Sequence, residues 1–379
     1  MANPAHALLS ASGSHRWLSC TPSARLEAVL PEPKRAPGAF DYSSEGTSAH
    51  ELAEAKLRFK FDMITKDEYD ETYAKIKELK YFNTDFEQFV DDYVLYVASQ
   101  IGDGDRPMFE QRIDYSEWVP EGFGTADVVI LSKDKVRVID LKFGQGIFVD
   151  AKDNPQLRLY ALGAWSKFKD EFPEIRTIEY TIHQPRLRSI TTDGTTLDKL
   201  LEWAKYFVKQ KAKLAWVGQG EFVPGDHCGF CRAKAQCKSR ASFITELAKL
   251  DFREPALLTD DELALSLKAS TKLSTYINDV NAYLVNKAVE TGKPPKGFKL
   301  SSTTSQRKIT DDKKAIEILN QYGYAHGDYM EPERLKSVAQ LEKLGKDKIS
   351  GILSEVIVKP EGQPKLVEDN STAEDYFGN

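Results

Sequence analysis

With 379 residues, 41% of them hydrophobic and 11% aromatic, the chain can bury one large core and a smaller second one, which excludes a wholly disordered protein. No apolar run approaches the roughly 20 residues needed to span a bilayer. The start, Met1-Ala2-Asn3-Pro4-Ala5-His6, lacks the basic and long apolar stretches of a secretory signal, so a cytoplasmic protein is expected. A net charge of −6 excludes a globally basic nucleic-acid binder and leaves such contacts to local patches.

In chain order, residues 1–40 read as an irregular arm that holds Cys20, with Pro31-Glu32-Pro33 through Pro37 breaking any helix. Helices are expected near 44–60, 66–80 and 84–101, and strands near 107–114, 123–131 and 135–142. A helix near 153–170, a strand at 177–183 and a helix near 195–214 follow. This order predicts an α/β (mixed α+β) fold over residues 41–250, a central mixed sheet flanked by helices. Residues 251–368 read as mainly helical, with a capped start at Thr259-Asp260-Asp261-Glu262 and a break at Gly292-Lys293-Pro294-Pro295. Shorter helices are expected near 311–322 and 332–355, and 369–379 reads as a disordered polar tail.

The chemistry concentrates on a hairpin. Two β-branched runs, Val128-Val129-Ile130-Leu131 and Val136-Arg137-Val138-Ile139, surround the polar turn Ser132-Lys133-Asp134-Lys135. Asp127 precedes the first run, and Asp140-Leu141-Lys142 ends the second. Strand alternation puts Asp140 and Lys142 on one face with Leu141 opposite. Two carboxylates can meet there around one divalent ion with the lysine beside it, an arrangement suited to phosphodiester hydrolysis. Alone, Asp-x-Lys equally describes a salt-bridged exposed hairpin. Upstream, His50 lies early in a helix beginning near Glu45; downstream, Gln156 and Tyr160 stand four apart on one helical face.

The series His50, Gly124-x-x-Asp127, Asp140-x-Lys142, Gln156-x-x-x-Tyr160 resembles the PD-(D/E)XK nucleases in their RecB-like branch, over roughly residues 40–240. Within that branch it is similar to a phage-encoded group, some members of which occur beside single-strand annealing proteins. The resemblance implies a restriction-endonuclease-like core and a metal-dependent DNA exonuclease serving phage recombination or end processing in the host cytoplasm. It implies Mg²⁺ or Mn²⁺ held by His50, Asp127, Asp140 and the Leu141 carbonyl, with Glu110 as a further candidate. Lys142 would act on the attacking water, and Gln156 and Tyr160 would orient the scissile strand. A structure-specific endonuclease, an RNA nuclease and a non-catalytic DNA-binding scaffold remain as alternatives. DNA is the implied partner, and a single-strand annealing protein a candidate second one.

Four cysteines give a separate signal: Cys20 far upstream, then Cys228, Cys231 and Cys237 in a C-x2-C-x5-C spacing. In an intracellular chain this favours metal ligation over disulfides. The pattern resembles the [4Fe–4S] staple of AddB-type nucleases; structural zinc and free buried thiols are the alternatives. The basic candidates for DNA contact are Arg158, Arg186, Arg188, Lys205 and Lys209, the last two on a helix that also carries Tyr206 and Phe207. A solvated amphipathic helix explains those two lysines equally well.

Overall fold

Val128, Val129, Ile130 and Leu131 pair antiparallel with Ile139, Val138, Arg137 and Val136, so the β-branched hairpin forms as its residue types dictate. It lies inside a five-stranded sheet of β1 (Arg106–Asp114), β2 (Phe123–Leu131), β3 (Lys135–Leu141), β4 (Thr177–Gln184) and β5 (Ser189–Thr196), in that spatial order. Only the β3–β4 pair is parallel. A parallel neighbour requires a long crossover. The computed structural model describes residues 7–31, 42–144, 146–248, 260–302, 308–331, 334–335, 338–341, 346–358 and 364–368. The expected proline break beyond Pro31 and the polar tail from Asp369 lie outside the described residues.

Helices α1 (Ser14–Ser19) and α2 (Ser23–Ala28) belong to the N-terminal arm. α3 (Tyr42–Lys60), α4 (Lys66–Lys77) and α5 (Thr84–Ser99) cover one face of the sheet, where Leu52, Leu57, Phe86, Val90 and Val97 pack on Val128, Ile130 and Ile139. Thr65 and Glu68 cap α4 reciprocally, and the Asn83 side chain accepts from Phe86 N to cap α5. The β3–β4 crossover is α6 (Pro155–Phe168), started by Asn154, whose side chain accepts from Gln156 N and Leu157 N, and by Pro155. Its Leu157, Ala161 and Ala164 pack on Val129, Val136 and Val138 from the opposite face.

Two differences from the sequence expectation are physical. β5, whose Thr191, Thr192, Thr195 and Thr196 pair along β4, extends into the first residues of the helix expected near 195–214. The expected helix near 195–214 becomes α7 (Leu197–Trp203), a π-helical turn (Ala204–Val208) and α8 (Lys209–Val217), which stops at left-handed Gly218.

The chain forms two compact units, 1–273 and 274–379. After α9 (Lys238–Ala248), the long α10 (Asp260–Thr291) runs across that division. The second unit is helical with small added sheets, including Phe298–Ser302 paired with Pro364–Glu368. Within 332–355 the described residues include a strand at Arg334–Leu335 and the helices Val338–Leu341 and Lys346–Ile352.

α6 packs on the sheet at Gly163. A Cβ there would stand 2.6 Å from the Asp114 carbonyl oxygen and press on Ile113 Cγ2. Gly163→Ala should therefore destabilise the first unit by about 1–3 kcal/mol despite alanine's better helix propensity. Urea unfolding followed by circular dichroism checks this; an unchanged or raised midpoint would contradict the close contact.

Candidate active site

α3 presents His50, Ala53, Glu54 and Leu57 on one face, and with Tyr93, Glu110, Asp127, Val128 and Leu141 they line a small pocket. His50 Nδ1 lies 3.3 Å from Asp127 Oδ1 and 3.9 Å from Glu110 Oε1. One ligand atom from each of the three falls within 4.8 Å of the others, the only such trio among the described residues. Glu110 reaches it through an uncommon backbone. The β1–β2 ladder pairs Phe109 with Val128 and Gln111 with Ala126 but skips Glu110, whose φ is +47°. A non-glycine residue held there costs on the order of 1–3 kcal/mol and concentrates at functional sites.

The β2–β3 ladder ends at Val128–Ile139, one step before Asp127 would face Asp140. There Leu141 N donates to Asp127 Oδ2 at 2.7 Å. Lys142 N donates to the His183 carbonyl of β4, at 2.9 Å. The Lys142 ammonium sits 2.8 Å from Asp140 Oδ2, at ion-pair range without hydrogen-bond alignment, and donates to Gln156 Oε1 at 3.1 Å. The same Gln156 amide donates through Nε2 to Asp140 Oδ1 at 2.8 Å. One turn on, the Tyr160 ring occupies the space a Gly124 Cβ would need, 2.9 Å from Cε1. The glycine of Gly-x-x-Asp is thus required by Tyr160.

The structure joins His50, Asp127, Asp140, Lys142, Gln156 and Tyr160 in one place, with a changed division of labour. Glu110 joins His50 and Asp127 in the trio. Asp140, expected there, instead faces Lys142 and Gln156, because a buried carboxylate needs a cation and a donor. Burial lowers the His50 pKa, but the adjoining Asp127 charge and hydrogen bond, with Asp140 and Glu110, lift it to about 9. Burial and the Asp127 charge raise Glu110 to about 7. Burial works to raise Asp127, yet the His50 charge and hydrogen bond bring it below the ordinary carboxylate value. Burial and Asp127 push Asp140 up against the pull of Lys142. Burial also lowers the Lys142 pKa, but Asp140 and Asp127 outweigh it and keep the amine protonated.

Sequence reasoning passed over Tyr93 and Glu54 and took His183 as a structural residue. Tyr93 sits among Val90, Val94 and Val97 and has the spacing of a core residue. His183, read as structural, packs against Tyr93 and Tyr96 with ring centroids 5.5 and 5.2 Å away, and burial takes its pKa down to about 4.

The N-terminal arm docks beside the segment that leaves the core. Glu27 is buried and accepts from Arg16 Nε at 2.6 Å and Arg232 N at 2.9 Å, while Thr21 Oγ1 donates to the Gln219 carbonyl at 2.6 Å. All four cysteines line one cavity there, together with Arg16 and His227. No three of their sulfurs lie within 4.8 Å of one another, so they are not gathered into a ready ligand set. Burial raises the Cys231 thiol to about 11.

Arg186 corrects an expectation. Its side chain is not exposed as expected of a surface charge: it is 8% exposed, paired with buried Glu45 at 2.5 and 3.0 Å, and lies 4.3 Å over the Phe143 ring. Arg158 is largely buried, pairs with Asp153 and stacks over Trp203, again a packing role. Arg188, Lys205 and Lys209 are exposed. Arg186→Ala should cost about 3–5 kcal/mol because Glu45 would be left charged and buried. Thermal unfolding checks this, and Arg188→Ala should leave the midpoint within about 0.5 kcal/mol of wild type.

Among solved structures, one titled "Crystal structure of SSO0001" is similar at 14% identity over 60% of this chain and 96% of its own, with a TM-score of 0.25. Residues 6–374 match a family as a whole, first unit and second together, and the chain belongs to that family, described as Protein of unknown function (DUF2800).

Proposed function

We propose that the protein is a Mg²⁺- or Mn²⁺-dependent deoxyribonuclease of PD-(D/E)XK type, acting as an exonuclease on DNA ends. The observation that carries this reading is the convergence of His50, Glu110 and Asp127 beside the Asp140–Lys142 pair at the open end of one hairpin. The donor set fits a hard divalent ion, two carboxylates and one imidazole, and the imidazole inclines it toward Mn²⁺. Such an ion, when bound, supplies Lewis acidity that activates water and offsets charge on the phosphate.

The chain's own residues do the remaining work. His50 and Glu110 must give up the protons that their raised pKa values favour before they can serve as ligands, so affinity for the ion should increase with pH. Before an ion binds, the Asp140 and Asp127 charges hold the Lys142 amine protonated, placing a cation where it can orient the nucleophile and offset phosphate charge. Gln156 fixes both Lys142 and Asp140 with one amide. Tyr160, packed on Gly124, holds the helix turn that carries Gln156.

The test uses end-labelled linear and circular DNA, single- and double-stranded, with Mg²⁺, Mn²⁺ or EDTA. Metal-dependent loss of linear DNA is expected, and Lys142→Ala should abolish it while the protein stays folded, with a lowered thermal midpoint because buried Asp140 loses its cation. Cleavage of circles would replace the exonuclease by an endonuclease. Wild-type cutting by Lys142→Ala would overturn the assignment.

A second group is supported by the cysteine cavity. A tetrahedral zinc with Zn–S of about 2.3 Å would hold its sulfurs about 3.8 Å apart. The sulfurs share one cavity without being gathered to that spacing, so the choice of a [4Fe–4S] group over a single zinc ion rests on the resemblance of the cysteine pattern. Anaerobically purified protein should be brown with about four irons per chain, and Cys20→Ala should lose colour and stability together. Colourless protein with one zinc per chain would reverse the choice.

A further inference from the structure

Tyr93 lines the same pocket as His50, Glu110 and Asp127. It is 1% exposed, stands on α5 with a core residue's neighbours, and its hydroxyl has no hydrogen-bond partner. A buried hydroxyl left unpaired costs about 1–3 kcal/mol. Phenylalanine would fill the same slot without that cost. Tyr115 and Tyr329 pair their hydroxyls, with the Phe123 carbonyl at 2.9 Å and with Asn320 at 2.7 Å, whereas Tyr180 and Tyr324 leave theirs unpaired as Tyr93 does but do not line this pocket.

The surroundings of Tyr93 give the orphaned hydroxyl a direction. It shares the pocket wall with His50, Glu110 and Asp127, and it feels the charges of Asp127, Asp140 and Glu110. Its ring is held by His183, whose backbone carbonyl in turn fixes Lys142 N. Burial, first, and those carboxylates, second, keep the phenol protonated. It is therefore a buried, unpaired donor on a residue that lines the pocket of acidic side chains.

We propose that the Tyr93 hydroxyl is a positioning donor for a non-protein oxygen that enters this pocket with a divalent cation, either a water or a phosphate oxygen of the substrate. The inference deepens the cation reading above and rests on it. It explains why the unpaired hydroxyl is retained, since its partner arrives only with the ligand. Side chains that orient a metal's ligands without touching the metal typically change its affinity 10–100-fold when lost.

Tyr93→Phe separates this from a structural role. Thermal unfolding is followed against Mn²⁺ concentration for wild type and variant, first with Mn²⁺ alone and then with thymidine 5′-monophosphate present. Without metal, the variant should unfold at the wild-type temperature or above it. It should need at least about tenfold more Mn²⁺ for the half-maximal shift. A difference already present with Mn²⁺ alone identifies a water oxygen, and one that appears only with the nucleotide identifies a phosphate oxygen. Equal Mn²⁺ responses in both conditions would overturn the proposal, as would a lower midpoint of the metal-free variant. Absence of any Mn²⁺ shift in wild type would instead remove the cation reading itself, and Tyr93's role with it.

Discussion

Two carboxylates out of water at the end of a hairpin set the terms for the rest of the first unit. Asp127 and Asp140 stand where the β2–β3 ladder stops, and each needs compensation that a sheet alone does not provide. Asp127 takes it from His50 on α3 and from the Leu141 amide. Asp140 takes it from Lys142 and from Gln156 on α6. The two helical layers are therefore joined by charge at one spot as well as by apolar packing. Removing one partner from such a group leaves a buried charge without compensation, which is costlier than the pair is worth.

The crossover makes this economical. Because β3 and β4 are parallel, α6 must begin just beyond the end of β3, and its first turn falls over Asp140 and Lys142. Asn154 and Pro155 fix that turn, so Gln156 is aimed before any ligand is present. The same strand order places His183 beside Lys142, and His183 in turn supports Tyr93 from α5. Preorganisation here comes from topology, with each polar group held by an element that the apolar core already fixes.

What was legible in the sequence follows the range of the interactions. The hairpin and the α6 start were readable because β-branched runs, Asn154 and Pro155 act locally. The site residues were readable as an ordered series, although their partners were not. Glu110's left-handed backbone has no signature in a non-glycine residue. Arg186 reads as surface charge in Arg-Leu-Arg, since the carboxylate that buries it lies 141 residues away. Tyr93 shares the apolar spacing of its helix, and only the coordinates show its hydroxyl unpaired.

The N-terminal arm follows the same logic at longer range. Arg16 and Arg232 N meet on Glu27, and Thr21 reaches the Gln219 carbonyl, a contact between residues 198 apart in the chain. Joining such distant segments costs closure entropy that grows only slowly with length, so a few buried contacts can offset it. Arg16 also lines the cavity that the four cysteines share, and Trp17, Leu18 and Ala24 of the arm enter the core layer that also contains α6. A group bound by the cysteines would therefore reinforce a junction that already exists. Its loss would loosen first the arm's docking on the α6 side of the sheet, the layer that aims Gln156, and only through it the chemistry at Asp140.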